Sequence, residues 1–136
     1  MAVRSDVEQR LLEKAARYLP GGTGGNLALP KELDFLVSHG KGSRVFDVSG
    51  NEYVDYLLGS GPMIVGHAHP EVVAAVQKQL ERGTTFFASN EYAVLLAEEI
   101  VRAVPCAEKV RFSSSGSEAT LYCMRIARAH RKRDKI

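Results

Sequence analysis

Residues 110–136 read "VRFSSSGSEATLYCMRIARAHRKRDKI", and the fold depends on the turn inside this stretch. The β-favouring residues at 109–113 predict a strand, and the apolar spacing that follows predicts a helix from about 116 to 130. A Ser-Gly-Ser corner joins the two. Because a strand that passes directly into a helix is a building unit of layered α/β proteins, the stretch predicts an α/β fold.

The corner, Ser115-Gly116-Ser117, has the chemistry of an anion site. The first N–H groups of a helix have no partner within it, and the helix dipole places partial positive charge beside them. Gly116 has no side chain to block an approaching anion, and the two serines add hydroxyl donors. These features suit a phosphate or a carboxylate. They suit a simple helix cap equally well, and both interpretations stay open at this point.

Composition limits the class of protein. The chain has 136 residues, of which 45% are hydrophobic and 25% charged, and this is typical of one globular domain rather than of disorder. A net charge of +2 does not by itself indicate an acidic partner. Cys106 and Cys123 lack ligand spacing, and neither a signal peptide nor a membrane span is predicted. The sequence therefore favours a reduced, cytoplasmic protein that binds no membrane.

The rest of the chain predicts short antiparallel strands early and helices later. Capping residues, apolar periodicity and Pro or Gly boundaries mark the helices, and two β-rich runs around Ser49-Gly50-Asn51 mark a hairpin. Only one clear core strand of the parallel type is present, so the order predicts the beginning of a larger fold. The predicted elements are a helix at 5–19, a hairpin at 43–57, a helix at 70–82, an extended segment at 84–89 and a helix at 90–104.

The stretch "FSSSGSEATLYCMRIARAHRKRDKI" resembles the cofactor-phosphate segment of class III pyridoxal-phosphate aminotransferases. Ser114 to Ala119 match that family's pattern of Ser/Asn, Ser/Thr, Gly, Ser/Thr, Glu and Ala. The helix matches an Arg-x-x-Arg-Ala register. Further likeness covers nearly the whole chain and is nearest to the glutamate-1-semialdehyde aminomutase-like branch. The matching segments are 18–22 (YLPGG), 42–76 (GSRVFDVSGNEYVDYLLGSGPMIVGHAHPEVVAAV) and 96–105 (LAEEIVRAVP).

The resemblance implies a fold and a site. The fold is α/β and is the incomplete N-terminal part of a fold-type-I transferase. Residues 1–60 correspond to the helix and β-hairpin segment of the small domain, and 61–136 to the truncated start of the cofactor-binding large domain. The cofactor-binding residues are Ser115, Gly116 and Ser117, which correspond to those that hold the phosphate of pyridoxal 5'-phosphate. Ser60 and Gly61 correspond to a loop of the substrate pocket.

The resemblance also implies an activity, which is transfer of an amino group between an amino donor and a keto or aldehyde acceptor. Two departures bear on it. Many relatives have Trp where this chain has Ser60, which suggests a roomier pocket. The aminomutase has an Arg after its PGG loop, where this chain has Ala28, and this favours a general aminotransferase over the alternative, glutamate-1-semialdehyde 2,1-aminomutase.

No catalytic residue is predicted within the chain itself. The family's chemistry needs a Lys for the Schiff base and an acidic partner for the pyridine nitrogen, and both lie far downstream in the family. The chain alone is therefore predicted to be inactive. A truncated copy or a subunit of a split enzyme, acting as an anion-binding or assembly module, is a further alternative. None of the chain's own lysines fits the role: Lys14, Lys31, Lys41, Lys78, Lys109, Lys132 and Lys135.

The remaining predictions concern partners. Family members are dimers, so a homodimer of the full-length enzyme is implied, with exposed apolar surface and weak solubility for the fragment alone. The basic residues at 125–135 follow the preference for cations at a helix C-terminus, so nucleic-acid binding is not predicted. His67 and His69 form an HxH without a nearby third ligand, so no metal site is predicted.

Overall fold

A computed structural model describes residues 3–25, 30 and 34–135. The described chain divides into two compact units, Met1–Thr84 and Thr85–Ile136, called here the first and second units. The first unit contains α1 (Asp6–Tyr18), β1 (Val37–Lys41), β2 (Arg44–Asp47), β3 (Glu52–Val54) and α2 (Pro70–Leu80), with 3₁₀ turns at Pro20–Gly22 and Leu58–Ser60. The second unit contains α3 (Glu91–Ala103) and α4 (Gly116–Arg131).

The three strands form one antiparallel sheet in the order β1-β2-β3. Val45 lies opposite Tyr53 in the predicted hairpin and opposite Gly40 on the other side. The hairpin prediction is confirmed. Strand β1 was not predicted, because its sequence, Val-Ser-His-Gly-Lys, lacks the apolar alternation of a strand and relies on pairing with β2.

Helix α1 confirms the predicted N-terminal helix, and a residue of its first turn binds segments next to the sheet. The Ser5 hydroxyl accepts a hydrogen bond from the Glu8 N–H at 3.3 Å. The Glu8 carboxylate does not return to Ser5, as a full capping box would require. It accepts instead from the Leu36 N–H at 2.8 Å and from the hydroxyl of Ser49 in the hairpin turn. One carboxylate therefore fastens α1 to two separate segments.

A second buried carboxylate closes the hairpin turn. Asp47 accepts hydrogen bonds from the Asn51 N–H, the Asn51 side-chain amide and the Tyr53 hydroxyl, each at 2.8 Å. Burial acts to raise the pKa of Asp47, but the hydrogen bonds from Asn51 and Tyr53 outweigh it and hold that pKa below its usual range. Burial and the bond to Asp47 raise the pKa of Tyr53 to about 12. The turn is thus held by an ionised acceptor and its donors.

Among the described residues, the buried side chains are polar. Glu8 is 1% exposed and Asp47 is 3% exposed, whereas no described hydrophobic residue is classed as buried. The apolar stripe predicted for α2 is exposed at Val72, Val76 and Leu80. This agrees with the predicted exposed apolar surface, while the predicted weak solubility stays a prediction.

In the second unit the two predicted helices are present, but one predicted strand is not. Residues 109–113 form no ladder with any described segment, so the prediction of a strand there is wrong for this structure. A strand requires a hydrogen-bonded neighbour, and β-favouring residues cannot supply one. Residues 84–89, predicted to be extended, contain bends and join no sheet. No helix of the described residues is long and apolar enough to cross a membrane.

Candidate cofactor and substrate site

The corner before α4 is closed by a complete capping box. The Ser115 hydroxyl accepts from the Glu118 N–H at 3.2 Å. The Glu118 carboxylate in turn accepts from the N–H groups of Ser114 at 2.7 Å and Ser115 at 3.1 Å. Glu118 therefore orders the approach to the helix, and the cap interpretation of the sequence is confirmed for Ser115.

The capping box leaves two amides at the corner uncapped. The Ala119 N–H donates to the Ser115 carbonyl at 3.0 Å, so the intrahelical ladder begins there. The amides of Gly116 and Ser117 precede that ladder and donate to no acceptor among the described residues. Both amides lie at the positive end of a 16-residue helix. The cap and the anion site are therefore compatible, because they use different N–H groups.

The start of α4 is exposed to solvent. A Cβ atom built on Gly116 would meet no atom within 4 Å, and the residues from Ser113 to Ser117 are exposed. The Ser117 hydroxyl lies on the same first turn, and the Ser115 hydroxyl keeps its own hydrogen for donation while its oxygen caps the helix. An oxyanion thus has two backbone donors and up to two hydroxyl donors at this corner.

A stacked pair holds the segment that leads into the corner. The Arg111 guanidinium lies 4.3 Å from the centre of the Tyr122 ring. Tyr122 is on α4, so the contact ties the incoming segment to the helix, although that segment is not a strand. Sequence reasoning did not find this pair, because Arg111 and Tyr122 are 11 positions apart and share no local pattern.

The predicted substrate-pocket residues lie in an unusual loop of the first unit. Leu58 and Ser60 have φ values of +49° and +67°, in the left-handed region, and Gly61 has φ of +112°. Left-handed backbone costs about 1–2 kcal/mol for a residue with a side chain. Non-glycine residues in this region are frequent at functional sites, where surrounding contacts enforce them.

Contacts on either side of this loop are well defined. The Asp55 carboxylate accepts from the Leu57 N–H at 2.8 Å and the Leu58 N–H at 2.9 Å through Oδ1. Its other oxygen lies 2.6 Å from Nε2 of His67. The hydrogen bond from His67, with those from the two amides, holds the pKa of Asp55 below its usual range. The Asp55 N–H also donates to the Ser43 carbonyl at 2.9 Å, so its backbone extends the hairpin while its side chain binds a residue 12 positions away.

The HxH pair is not arranged as a metal site. His67 directs Nε2 at Asp55, and Nδ1 of His69 is buried without a hydrogen-bond partner among the described residues. Across residues 3–25 and 34–135, no group of three His, Cys, Asp or Glu side chains is placed to hold a metal ion. His69 instead directly precedes Pro70, the first residue of α2.

The predicted site residues fall in both units. Ser60 and Gly61 belong to the first unit, and the corner from Ser115 to Ser117 belongs to the second. Ala28, the position aligned with the aminomutase's arginine, lies outside the described residues.

The described residues form an α/β arrangement of helices and a small antiparallel sheet, and solved structures of transaminases share it. An omega-transaminase from Sphaerobacter thermophilus matches with a TM-score of 0.84 and 34% identity, over 90% of this chain and 28% of that one. A transaminase solved with pyridoxal phosphate bound matches with a TM-score of 0.85 and 35% identity, over 94% of this chain and 30% of that one.

The family follows from the sequence comparison. The profile of the class III aminotransferases matches residues 28–136, and the chain belongs to this family. A relative from Methanosphaera stadtmanae, named glutamate-1-semialdehyde 2,1-aminomutase, is 42% identical over 98% of this chain and 32% of its own length. The resemblance to the family and to its aminomutase-like branch is confirmed. The chain spans about a third of the length of the curated relatives that it matches.

Proposed function

We propose that this chain is the N-terminal part of a pyridoxal-phosphate-dependent aminotransferase and supplies its phosphate-binding corner. The complete enzyme, meaning the full-length protein that contains these residues, transfers an amino group between a small-molecule amino donor and a keto or aldehyde acceptor. The observation that carries the proposal is the pair of unused amides of Gly116 and Ser117. They lie at the exposed start of α4, next to a capping box that does not use them.

The residues present fit the phosphate end of the cofactor. A doubly charged phosphate accepts hydrogen bonds from backbone amides and hydroxyls and is favoured by the positive end of a helix. Gly116 and Ser117 donate through their amides, and the Ser115 and Ser117 hydroxyls add side-chain donors. When bound, pyridoxal phosphate carries the amino group and acts as an electron sink. The corner's role is to hold the cofactor in one place while that chemistry proceeds.

The chemistry itself needs residues beyond this chain. None of its lysines lies in the corner segment, whereas a lysine is required to carry the cofactor and move protons. We therefore expect residues 1–136 alone to bind phosphate-bearing ligands weakly and to show no transaminase activity. A homodimer and a cytoplasmic location remain predictions for the complete enzyme.

The corner is tested by adding charge at Ser117. Ser117→Asp in the complete enzyme places a carboxylate where it suits the helix dipole but repels a phosphate. We expect pyridoxal-phosphate affinity to fall by more than about 100-fold, and by only about tenfold in Ser117→Ala, which keeps the amide. Affinity is measured by titrating the apoenzyme and following the cofactor spectrum. Unchanged affinity in Ser117→Asp would exclude the corner as the binding site of the cofactor phosphate.

A second candidate is the aminomutase reaction. The 42% identity to a protein named glutamate-1-semialdehyde 2,1-aminomutase favours it, and Ala28 at the position of the aminomutase's arginine weighs against it. The two activities are separated by supplying glutamate-1-semialdehyde without any second substrate. Turnover to an isomer would support the aminomutase. Turnover only when a separate donor and acceptor are both present would support the aminotransferase.

A further inference from the structure

The segment between β3 and α2 is held at both ends by one carboxylate. The Oδ1 atom of Asp55 accepts hydrogen bonds from the N–H groups of Leu57 and Leu58. The Oδ2 atom lies 2.6 Å from Nε2 of His67. An ionised carboxylate is only an acceptor, so His67 donates from Nε2. The side chains are 12% exposed for Asp55 and 20% for His67, which shields the pair from competing water. The contact thereby joins the beginning of the loop to its end.

His67 is itself fixed by the sheet. Its N–H donates to the Gly42 carbonyl, and its carbonyl accepts from the Gly42 N–H, both at 2.8 Å. Gly40, on β1, faces the imidazole so closely that a Cβ there would overlap the ring. A Cβ on the neighbouring Gly66 would lie 2.9 Å from the Gly42 carbonyl oxygen. His67 is therefore held against the sheet by its two backbone hydrogen bonds with Gly42. Because Asp55 contacts His67 and also binds the loop amides, it connects the loop to the sheet.

The part of the loop held in this way is the part with unfavourable backbone. The Leu58 N–H donates directly to the Asp55 carboxylate, and Leu58 has φ of +49°. Ser60 follows with φ of +67°. The Ser60 N–H donates to the Leu57 carbonyl at 2.9 Å, and the Met63 N–H donates to the Leu58 carbonyl at 3.2 Å. Because Leu57 and Leu58 anchor these turns, the Asp55 contact reaches Ser60 and Gly61 through a short chain of hydrogen bonds.

We propose that Asp55 and His67 are positioning residues that fix the conformation of Ser60 and Gly61, and that this conformation sets how the amino donor is bound. The inference rests on the proposed function, which assigns Ser60 and Gly61 to the substrate pocket. Asp55 and His67 do not touch the reacting atoms. They act through the backbone of the loop, so their loss changes substrate binding while the cofactor corner of the second unit stays intact.

The test compares matched variants of the complete enzyme. His67→Ala removes the donor, and His67→Gln keeps an N–H donor that can reach Asp55. Glu52→Gln is the control, because it breaks the half-exposed ion pair between Arg44 on β2 and Glu52 on β3 without touching the loop. The substrates are 1-phenylethylamine with pyruvate, and glutamate-1-semialdehyde alone. The readouts are KM, kcat, pyridoxal-phosphate affinity and hydrogen exchange of the Leu57 and Leu58 amides.

We expect His67→Ala to raise KM about 10- to 100-fold with unchanged cofactor affinity and faster exchange at both amides. His67→Gln should recover most of the KM, and Glu52→Gln should match the wild type. If His67→Ala does not fold, Asp55→Asn takes its place. It keeps an acceptor for the two amides but removes the charge that faces His67, and the expected KM rise is then about tenfold.

The outcomes separate the two proposals. KM within twofold of wild type in an active enzyme, or a loss of kcat with unchanged KM, would overturn the positioning role and leave the proposed function standing. A wild-type enzyme that binds the cofactor but turns over neither substrate set would count against the proposed function. In that case the exchange data decide: unchanged protection of Leu57 and Leu58 in His67→Ala would overturn the positioning role.

Discussion

The two units of this chain are organised by different kinds of contact. In the first unit, polar side chains join residues far apart in sequence: Glu8 binds Leu36 and the Ser49 hydroxyl, and Asp55 binds His67. In the second unit, the helix caps join close neighbours, as Asn90 binds the Ala93 N–H and Ser115 binds the Glu118 N–H. The Arg111–Tyr122 contact spans 11 positions there, against 28 and 41 for the contacts of Glu8 in the first unit. Buried hydrogen bonds between distant residues specify tertiary structure, whereas caps specify only where a helix begins.

The two units are alike in their exposed apolar surface. Phe87 and Ile126 in the second unit are more than half exposed, and so are Val72 and Leu80 on α2 of the first. An amphipathic helix gains most of its stability by burying its apolar face. Because the chain spans about a third of its curated relatives, we interpret these faces as surfaces that the rest of the complete enzyme covers. The carboxylates of Glu8, Asp47 and Asp55, by contrast, have their hydrogen-bond partners within the first unit.

The largest expected effect is at Glu8, which connects the helix and sheet of the first unit. Glu8→Ala removes a buried acceptor and leaves the Leu36 N–H without a partner. We expect a local stability loss of about 3 kcal/mol, since hydrogen bonds to charged groups contribute about 1.5–3 kcal/mol each. Hydrogen exchange across α1 in the complete enzyme measures it. Glu13→Ala, at an exposed position of the same helix, should change exchange by less than about 0.5 kcal/mol. Equal effects would show that Glu8 is not an anchor.

Tyr53 has a smaller expected effect and a defined pH range. Tyr53→Phe removes the hydrogen bond to Asp47 and should cost about 1.5 kcal/mol at neutral pH. The folded pKa of about 12 exceeds the ordinary value of 10.0, so the unfolded chain loses this proton first. The stabilisation is complete below pH 10 and falls as the pH rises from 10 to 12. The free energy of unfolding, measured from pH 8 to 12, should decrease in this way in the wild type and by less in Tyr53→Phe. Parallel pH profiles would contradict it.

The smallest expected effect is at a cap of the second unit. Asn90→Ala removes the acceptor for the Ala93 N–H at 3.1 Å and should destabilise α3 by about 1 kcal/mol. The loss should be confined to the first turn of α3, because the cap connects only neighbouring residues. Residue-resolved hydrogen exchange checks this, with Asn90→Ser as the variant that restores a cap. A loss that spread through the first unit would mean that this cap is more than local.

Local chemistry explains which elements the sequence could predict. The starts of α1, α3 and α4 were predicted because Ser5, Asn90 and Ser115 act on backbone a few residues away. The hairpin was predicted for the same reason, since its turn residues lie between the strands that they join. The corner was also visible, and the structure adds that Glu118 caps it without using the amides of Gly116 and Ser117.

Contacts between distant residues explain what the sequence could not predict. Strand β1 depends on β2, and its Gly40 is required by the ring of His67 rather than by its own neighbours. The Asp55–His67 contact is set by the sheet and has no local signature. The strand predicted at 109–113 fails in the opposite way, because its residues favour β-structure but no described segment pairs with them. Propensity without a partner did not make a strand.

The central claim is that the Gly116 and Ser117 amides hold a phosphate while Glu118 occupies those of Ser114 and Ser115. The most direct test is amide NMR of the complete enzyme, labelled at glycine and serine, during titration with pyridoxal phosphate and, separately, with pyridoxal lacking the phosphate. The account predicts large shifts of Gly116 and Ser117 with the phosphorylated form, and small ones for Ser114 and Ser115. Equal shifts with both forms, or no shift at Gly116 and Ser117, would contradict it.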